Sequence, residues 1–187
     1  MEKNVGIHKI EELVNPEIHE LPEVYNKTFE SKVSSALDCM DDFEALLKSV
    51  AKLDDDLLIG RLSAAVEEIM MNAITYGNLG IKKTGNHDFI AGDIETAENA
   101  PEALEKRVFV SVRMNEERVV ITIQDQGKNS PEFWKLKRID PTQEGLMNAD
   151  GRGELITTGS GDLKGFDKPE YEKNEIGVKV TLRRRFK

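Results

Sequence analysis

The chain has 187 residues, 39% of them hydrophobic, which suits one domain with an ordinary core and is too apolar for a disordered polypeptide. Its 35 acidic side chains outnumber 26 Lys and Arg, giving a formal charge of −9 that repels phosphate backbones and argues against general nucleic-acid binding. Cys39 is the single cysteine, which excludes an intramolecular disulfide and a cysteine-built zinc site and fits a reducing compartment.

Residues 1–26 are polar, are interrupted by Pro16 and Pro22, and hold at most a short helix around Ile10 to Val14. They read as an N-terminal extension before a domain spanning 27–187. Met1-Glu2-Lys3-Asn4 leads into no long apolar run, so no secretion signal is expected. Val119 to Ile123, the longest β-like apolar stretch, is far too short to span a bilayer. A cytoplasmic protein without membrane contact is the expectation.

A strand is predicted from about Thr28 to Ser34. Leu37, Met40, Phe43, Leu47 and Val50 then recur at helical spacing, which predicts a helix from about Ala36 to Lys52 with Cys39 beside its apolar face. One aspartate of Asp54-Asp55-Asp56 can cap the next helix, and the others favour its positive end. That helix should run from about Asp55 to Tyr76. Residues 78–105, with Gly80, Gly85, Gly92 and Pro101, show no sustained period and read as a long surface loop.

A hairpin follows. Val108, Val110, Val112 and Met114 alternate, then Val119, Ile121 and Ile123 alternate after a turn at Asn115-Glu116-Glu117. Residues 126–152 are irregular, and a short helix is expected near Gly153. Ile176, Val178, Val180 and Leu182 mark the last strand, and Arg183-Arg184-Arg185-Phe186-Lys187 reads as its solvated end. Hairpin-linked strands with grouped helices predict an α/β (α+β) two-layer sandwich: a mixed, mainly antiparallel sheet with helices on one face.

Three places carry candidate chemistry. At about 100° per residue from Leu58, the side chains of Leu62, Ala65, Val66, Ile69 and Ala73 form a core stripe. Glu67 falls opposite it, facing water. Glu68 and Asn72 fall one turn apart along the stripe's edge, where an acid and an amide can line a cleft or stand as ordinary boundary residues. The second place is Asp125-Gln126-Gly127. Period two puts Asp125 on the core-facing row of Val119, Ile121 and Ile123, where a carboxylate requires a partner. An acceptor there can take a hydrogen bond from an adenine amino group, and Gly127 lets the backbone approach a ligand. The plainer alternative is a strand-end aspartate facing water. The third is Gly151-Arg152-Gly153, where small residues before a helix can expose N–H groups to a phosphate, although a simple turn has the same composition.

Taken in order, Glu68-Ile69-Met70-Met71-Asn72-Ala73, Asp125-Gln126-Gly127 and Gly151-Arg152-Gly153 resemble the histidine-kinase-like (Bergerat-fold) ATPase superfamily. Within it, the chain is most similar to the anti-sigma-factor serine kinase branch, over roughly residues 27–185. The resemblance implies ATP and Mg²⁺ as cofactors, with Asn72 as the Mg²⁺ ligand and Glu68 as general base or as the group orienting the attacking hydroxyl or water. It implies Asp125 on the adenine amino group, Gly127 making room for the base, and Gly151, Arg152 and Gly153 beside the phosphates. Mg²⁺ prefers oxygen ligands, and phosphoryl transfer depends mainly on positioning and charge neutralisation.

There are departures. Asn129 stands where the branch usually has a second glycine, Tyr76-Gly77 stands where it often has His-Gly, and Gly159 and Gly161 weaken the helix expected after Gly153. The implied function is an ATP-binding regulator that phosphorylates a serine on an antagonist protein and binds a sigma factor, with a homodimer as the common assembly. An ATP-dependent partner-binding module without phosphoryl transfer is the alternative. A two-component histidine kinase fits less well, because His8 and His19 lie in the short extension and no helical phosphoacceptor domain precedes the motif.

Overall fold

The structure is a computed structural model and describes residues 21–81, 90–128, 159–160 and 163–186. Five strands form one sheet: β1 (Glu23–Glu30), β2 (Arg107–Met114), β3 (Arg118–Gln124), β6 (Glu170–Lys173) and β7 (Val178–Arg185), in the order β1-β2-β3-β7-β6. Gly159–Ser160 (β4) and Leu163–Lys164 (β5) pair separately as a two-stranded sheet. Every pairing among the described residues is antiparallel, so the parallel component of the expected mixed sheet is not found there.

Helix α1 (Ser34–Ser49) and helix α2 (Asp56–Asn72) pack against each other and share one buried core with the sheet. The strands contribute the alternating residues that period two assigns to one face: Val108, Val110, Val112 and Met114 from β2, Val119, Ile121 and Ile123 from β3, and Val178, Val180 and Leu182 from β7. The intervening Arg107, Ser111, Arg113, Thr122, Gln124 and Lys179 are only half-buried. The result is an α+β arrangement of two layers.

Helix α1 lies about one residue away from its expected register. Ala36, Cys39, Phe43 and Leu47 are buried, whereas Leu37 is 49% exposed. Small side chains at Ala36 and Cys39 give that face a close-fitting surface, and the ring of Phe43 packs 6.2 Å from that of Phe166. No side chain at Val33 caps the helix; instead its N–H donates to Oε1 of Glu98 at 2.6 Å. Glu98 ends α3 (Ile90–Glu98), which is followed by α4 (Pro101–Glu105). These two helices overturn the expectation of an unstructured loop over 78–105. Each is too short for an apolar period to register, and Pro101, which reads as a breaker, starts α4 where its missing N–H costs nothing.

Strand β1 begins at Glu23, five residues before the predicted start. It is fastened to α1 through Asp42, which accepts from Tyr25 Oη at 2.6 Å and from Lys27 Nζ at 2.8 Å. Burial pushes the Asp42 carboxyl up, but these two hydrogen bonds outweigh it and hold it below the usual aspartate range. Strand β6 reads Glu-Tyr-Glu-Lys and carries no apolar alternation, which is why the sequence does not announce it. Ile176, expected in the last strand, sits in the preceding turn and is 54% exposed.

Helix α2 opens as predicted. Asp55 Oδ1 accepts from Leu57 N at 3.0 Å and Leu58 N at 3.1 Å, satisfying two N–H groups that have no helical partner. Leu62, Ala65, Val66, Ile69 and Ala73 are all buried, as the wheel requires, while Glu67 is half-buried rather than fully in water. After Asn72 the helix widens into a π segment, Ala73–Asn78, marked by Leu79 N donating to Ile74 O at 2.8 Å. Gly80 then leaves with a φ of 67°, which suits glycine. Among the described residues no helix is long and apolar enough to cross a membrane.

Candidate functional site

Glu68 and Asn72 lie one turn apart near the end of α2, and Nδ2 of Asn72 donates to Oε1 of Glu68 at 3.2 Å. Asn72 is buried to 8% exposure and Glu68 is half-buried, so the pair sits at the margin of the core rather than in bulk solvent. With Nδ2 turned to Glu68, Oδ1 is the amide atom that would face a cation.

Asp125 follows β3 and has no exposed surface. Its Oδ1 accepts from Gly127 N at 2.9 Å and from Val178 N at 2.8 Å, and its own N–H donates to Val178 O at 3.1 Å. Oδ2 is also buried and has no hydrogen-bond partner among the described residues. Burial pushes this carboxyl above the usual aspartate range; the N–H groups of Val178 and Gly127, then Lys173 and Lys106, pull it down without restoring it. An unpartnered buried acceptor is costly, and such groups mark functional sites more often than chance.

Three glycines make the enclosure. A methyl at Gly77 would lie 2.6 Å from Cγ of Asp125; at Gly127, 2.8 Å from Cα of Gly77; at Gly177, 2.7 Å from the carbonyl carbon of Asp125. No side chain fits at any of them. Gly127 therefore allows a close approach of two backbones. Because Gly77 follows Asn72 by little more than one turn, the Glu68–Asn72 pair and the Asp125 turn are bound to one continuous helical segment, about 7 Å apart along its axis.

The turn is tied down from every side. Asn78, fully buried, accepts from Gln126 N at 2.7 Å, and Oε1 of Gln126 accepts from Arg107 N at 2.6 Å. Lys173 Nζ donates to Gly127 O at 2.8 Å. In the turn before β7, Asn174 Oδ1 accepts from Ile176 N and Gly177 N, each at 3.0 Å, and from Gln124 Nε2 at 2.9 Å, which places Gly177 against Asp125.

The fold thus brings Glu68, Asn72, Asp125 and Gly127 onto adjoining elements. Gly151, Arg152 and Gly153, with Asn129, lie outside the described residues. Sequence reasoning misses Gly77, Asn78, Gly177, Lys106 and Lys173 as parts of the site. Gly77 is visible beside Tyr76 at the end of the Asn72 helix; the others belong to segments without motif spacing. Among the described residues no three His, Cys, Asp or Glu side chains converge to hold a metal. Mg²⁺ bound beside a nucleotide ordinarily takes several of its oxygens from phosphates and water.

No protein-family model matches this chain, and no curated protein sequence matches it either.

Proposed function

We propose that this chain binds ATP with Mg²⁺ in a Bergerat-type site between Glu68, Asn72 and Asp125, and works as a regulator resembling anti-sigma factors, phosphorylating a serine on an antagonist protein. The observation that carries the reading is Asp125: a buried carboxylate with one oxygen fixed by two backbone N–H groups and the other without a donor among the described residues. An adenine amino group supplies that donor, and the glycine walls at Gly77, Gly127 and Gly177 keep the acceptor rigid. Since Asp125 has no exposed surface, the base reaches Oδ2 only by displacing what covers it.

The rest follows from residue chemistry. Asn72 Oδ1 would hold Mg²⁺, which neutralises phosphate charge. Glu68, held against Asn72, would accept the proton of an attacking serine hydroxyl or orient that hydroxyl, work in which a general base contributes ~10²–10⁴-fold. A sigma factor and an antagonist protein are the proposed partners, with a homodimer as the proposed assembly and the cytoplasm as its location.

One observation favours a second reading, an ATP-dependent partner-binding module without transfer: Glu68 already spends one carboxylate oxygen on orienting Asn72. Incubation with labelled ATP, Mg²⁺ and candidate antagonist proteins separates the two. Binding with label on serine supports the kinase; binding without label supports the module. No ATP binding by calorimetry eliminates both.

A further inference from the structure

We infer that Asn78 is a positioning residue for recognition of the purine 6-amino group, a role that rests on the ATP reading of the Asp125 site. Asn78 ends the π segment and is fully buried, and its whole amide is engaged. Nδ2 donates to Ser31 Oγ at 2.8 Å and to Arg107 O at 2.9 Å; Oδ1 accepts from Gln126 N at 2.7 Å. Ser31 Oγ donates onward to Lys106 O at 3.0 Å, and Lys106 Nζ returns to the main-chain carbonyl of Asn78. An amide with two donors and one acceptor thus meets two acceptors and one donor, and only Asn supplies that set at this length.

What the network holds is the peptide between Asp125 and Gln126. Its N–H is gripped by Asn78, and the Gln126 side chain is gripped in turn by Arg107 N. Fixing that peptide plane fixes the direction in which the Asp125 side chain leaves the backbone. On the neighbouring residue, Gly77 bars any side chain from Oδ2. Two consecutive residues of the π segment therefore set the base-reading carboxylate, one by grip and one by having no side chain. Such π turns recur at functional sites because they re-aim residues without ending a helix.

A purely structural Asn78 would serve all ligands of the site alike; a positioning Asn78 serves the amino-group contact alone. The test compares ATP with purine riboside triphosphate, which lacks the 6-amino group, by calorimetry in Mg²⁺. The full chain should prefer ATP about tenfold or more, the range of a hydrogen bond to a charged acceptor. Asn78→Ala should bring that ratio near one, mainly by weakening ATP. Should Asn78→Ala fail to fold, Ser31→Ala, which cuts one strand of the network, should lower the ratio severalfold. Undiminished preference in the folded variants overturns the role of Asn78 and leaves the pocket reading intact. Equal binding of both triphosphates by the unaltered chain sinks the pocket reading, and this inference with it.

Discussion

A methyl group at Gly77 would stand 2.6 Å from Cγ of Asp125, and nearer still to Oδ2, the oxygen without a partner among the described residues. The close fit is between two main-chain segments and a side chain that Val178 and Gly127 already hold, so none of them yields easily.

Gly77→Ala should therefore destabilise the protein by about 2 kcal/mol or more, at the upper side of overpacking costs, and remove ATP binding. Gly60, in the middle of α2, has open space for 4 Å around the point where a methyl would stand, so Gly60→Ala should stabilise by about 0.5–1 kcal/mol through helix propensity alone. Urea unfolding of the two variants checks both signs.

Asp125→Asn should flatten the acid limb of the stability curve. The folded-state pKa of Asp125 lies above its unfolded value, so the folded state binds its proton more tightly. Its contribution is most favourable below about pH 4 and is lost as pH rises through the folded pKa. Stability of the unaltered protein relative to Asp125→Asn should accordingly fall with rising pH across that window. At neutral pH the variant should bind ATP at least about tenfold more weakly, because an amide N–H₂ would meet the amino group of the base. Denaturation from pH 3 to pH 8 and calorimetry read the two effects; a rising difference with pH would contradict the burial argument.

Asn72→Ala should abolish Mg²⁺-dependent ATP binding, and unchanged affinity would dismiss Asn72 as the cation ligand. Glu68→Gln keeps an oxygen for Asn72 Nδ2 but loses the base, so it should bind ATP normally while phosphoryl transfer drops ~10²–10⁴-fold. Glu68→Ala loses both, and should show a weakened Mg²⁺ requirement as well. Equal transfer by Glu68→Gln and the unaltered chain would remove Glu68 from the chemistry.

Cys39 should be silent to thiol reagents in the folded protein. It is 1% exposed, and burial, with Asp42 adding, pushes its thiol up to about 12. Reaction with an aromatic disulfide at pH 8 should run at least about a hundredfold slower than in denaturant. Rapid labelling would mean that α1 opens locally.

Much of the two-layer core was legible because burial imposes a period. Leu62, Val66 and Ile69 on α2, and the valines of β2 and β3, are spaced by geometry that the sequence repeats. Leu37 misled because a large apolar residue outweighs Ala36 and Cys39 in any such count, though the small pair is what the core accepts. Among the described residues strand β6 is paired on one side only, to β7, and it carries no apolar face, so it left no mark. In the site, Glu68 and Asn72 were legible through their spacing on one helix. Asn78, Gly177 and Lys173 were not: each matters through a partner 46 or more residues away in the chain, Asn78 through Gln126, Gly177 through Asp125 and Lys173 through Gly127.

The sheet order has a consequence for how the chain is made. Among the described residues strand β1 pairs only with β2, whose residues are synthesised about 80 positions later, a wait of about 4–16 s at ~5–20 residues per second on the ribosome. Through that interval the described strand that pairs with it has yet to be made. Glu23, Lys27 and Glu30 give the waiting strand a charge every few residues, the pattern that discourages strands on neighbouring nascent chains from joining it.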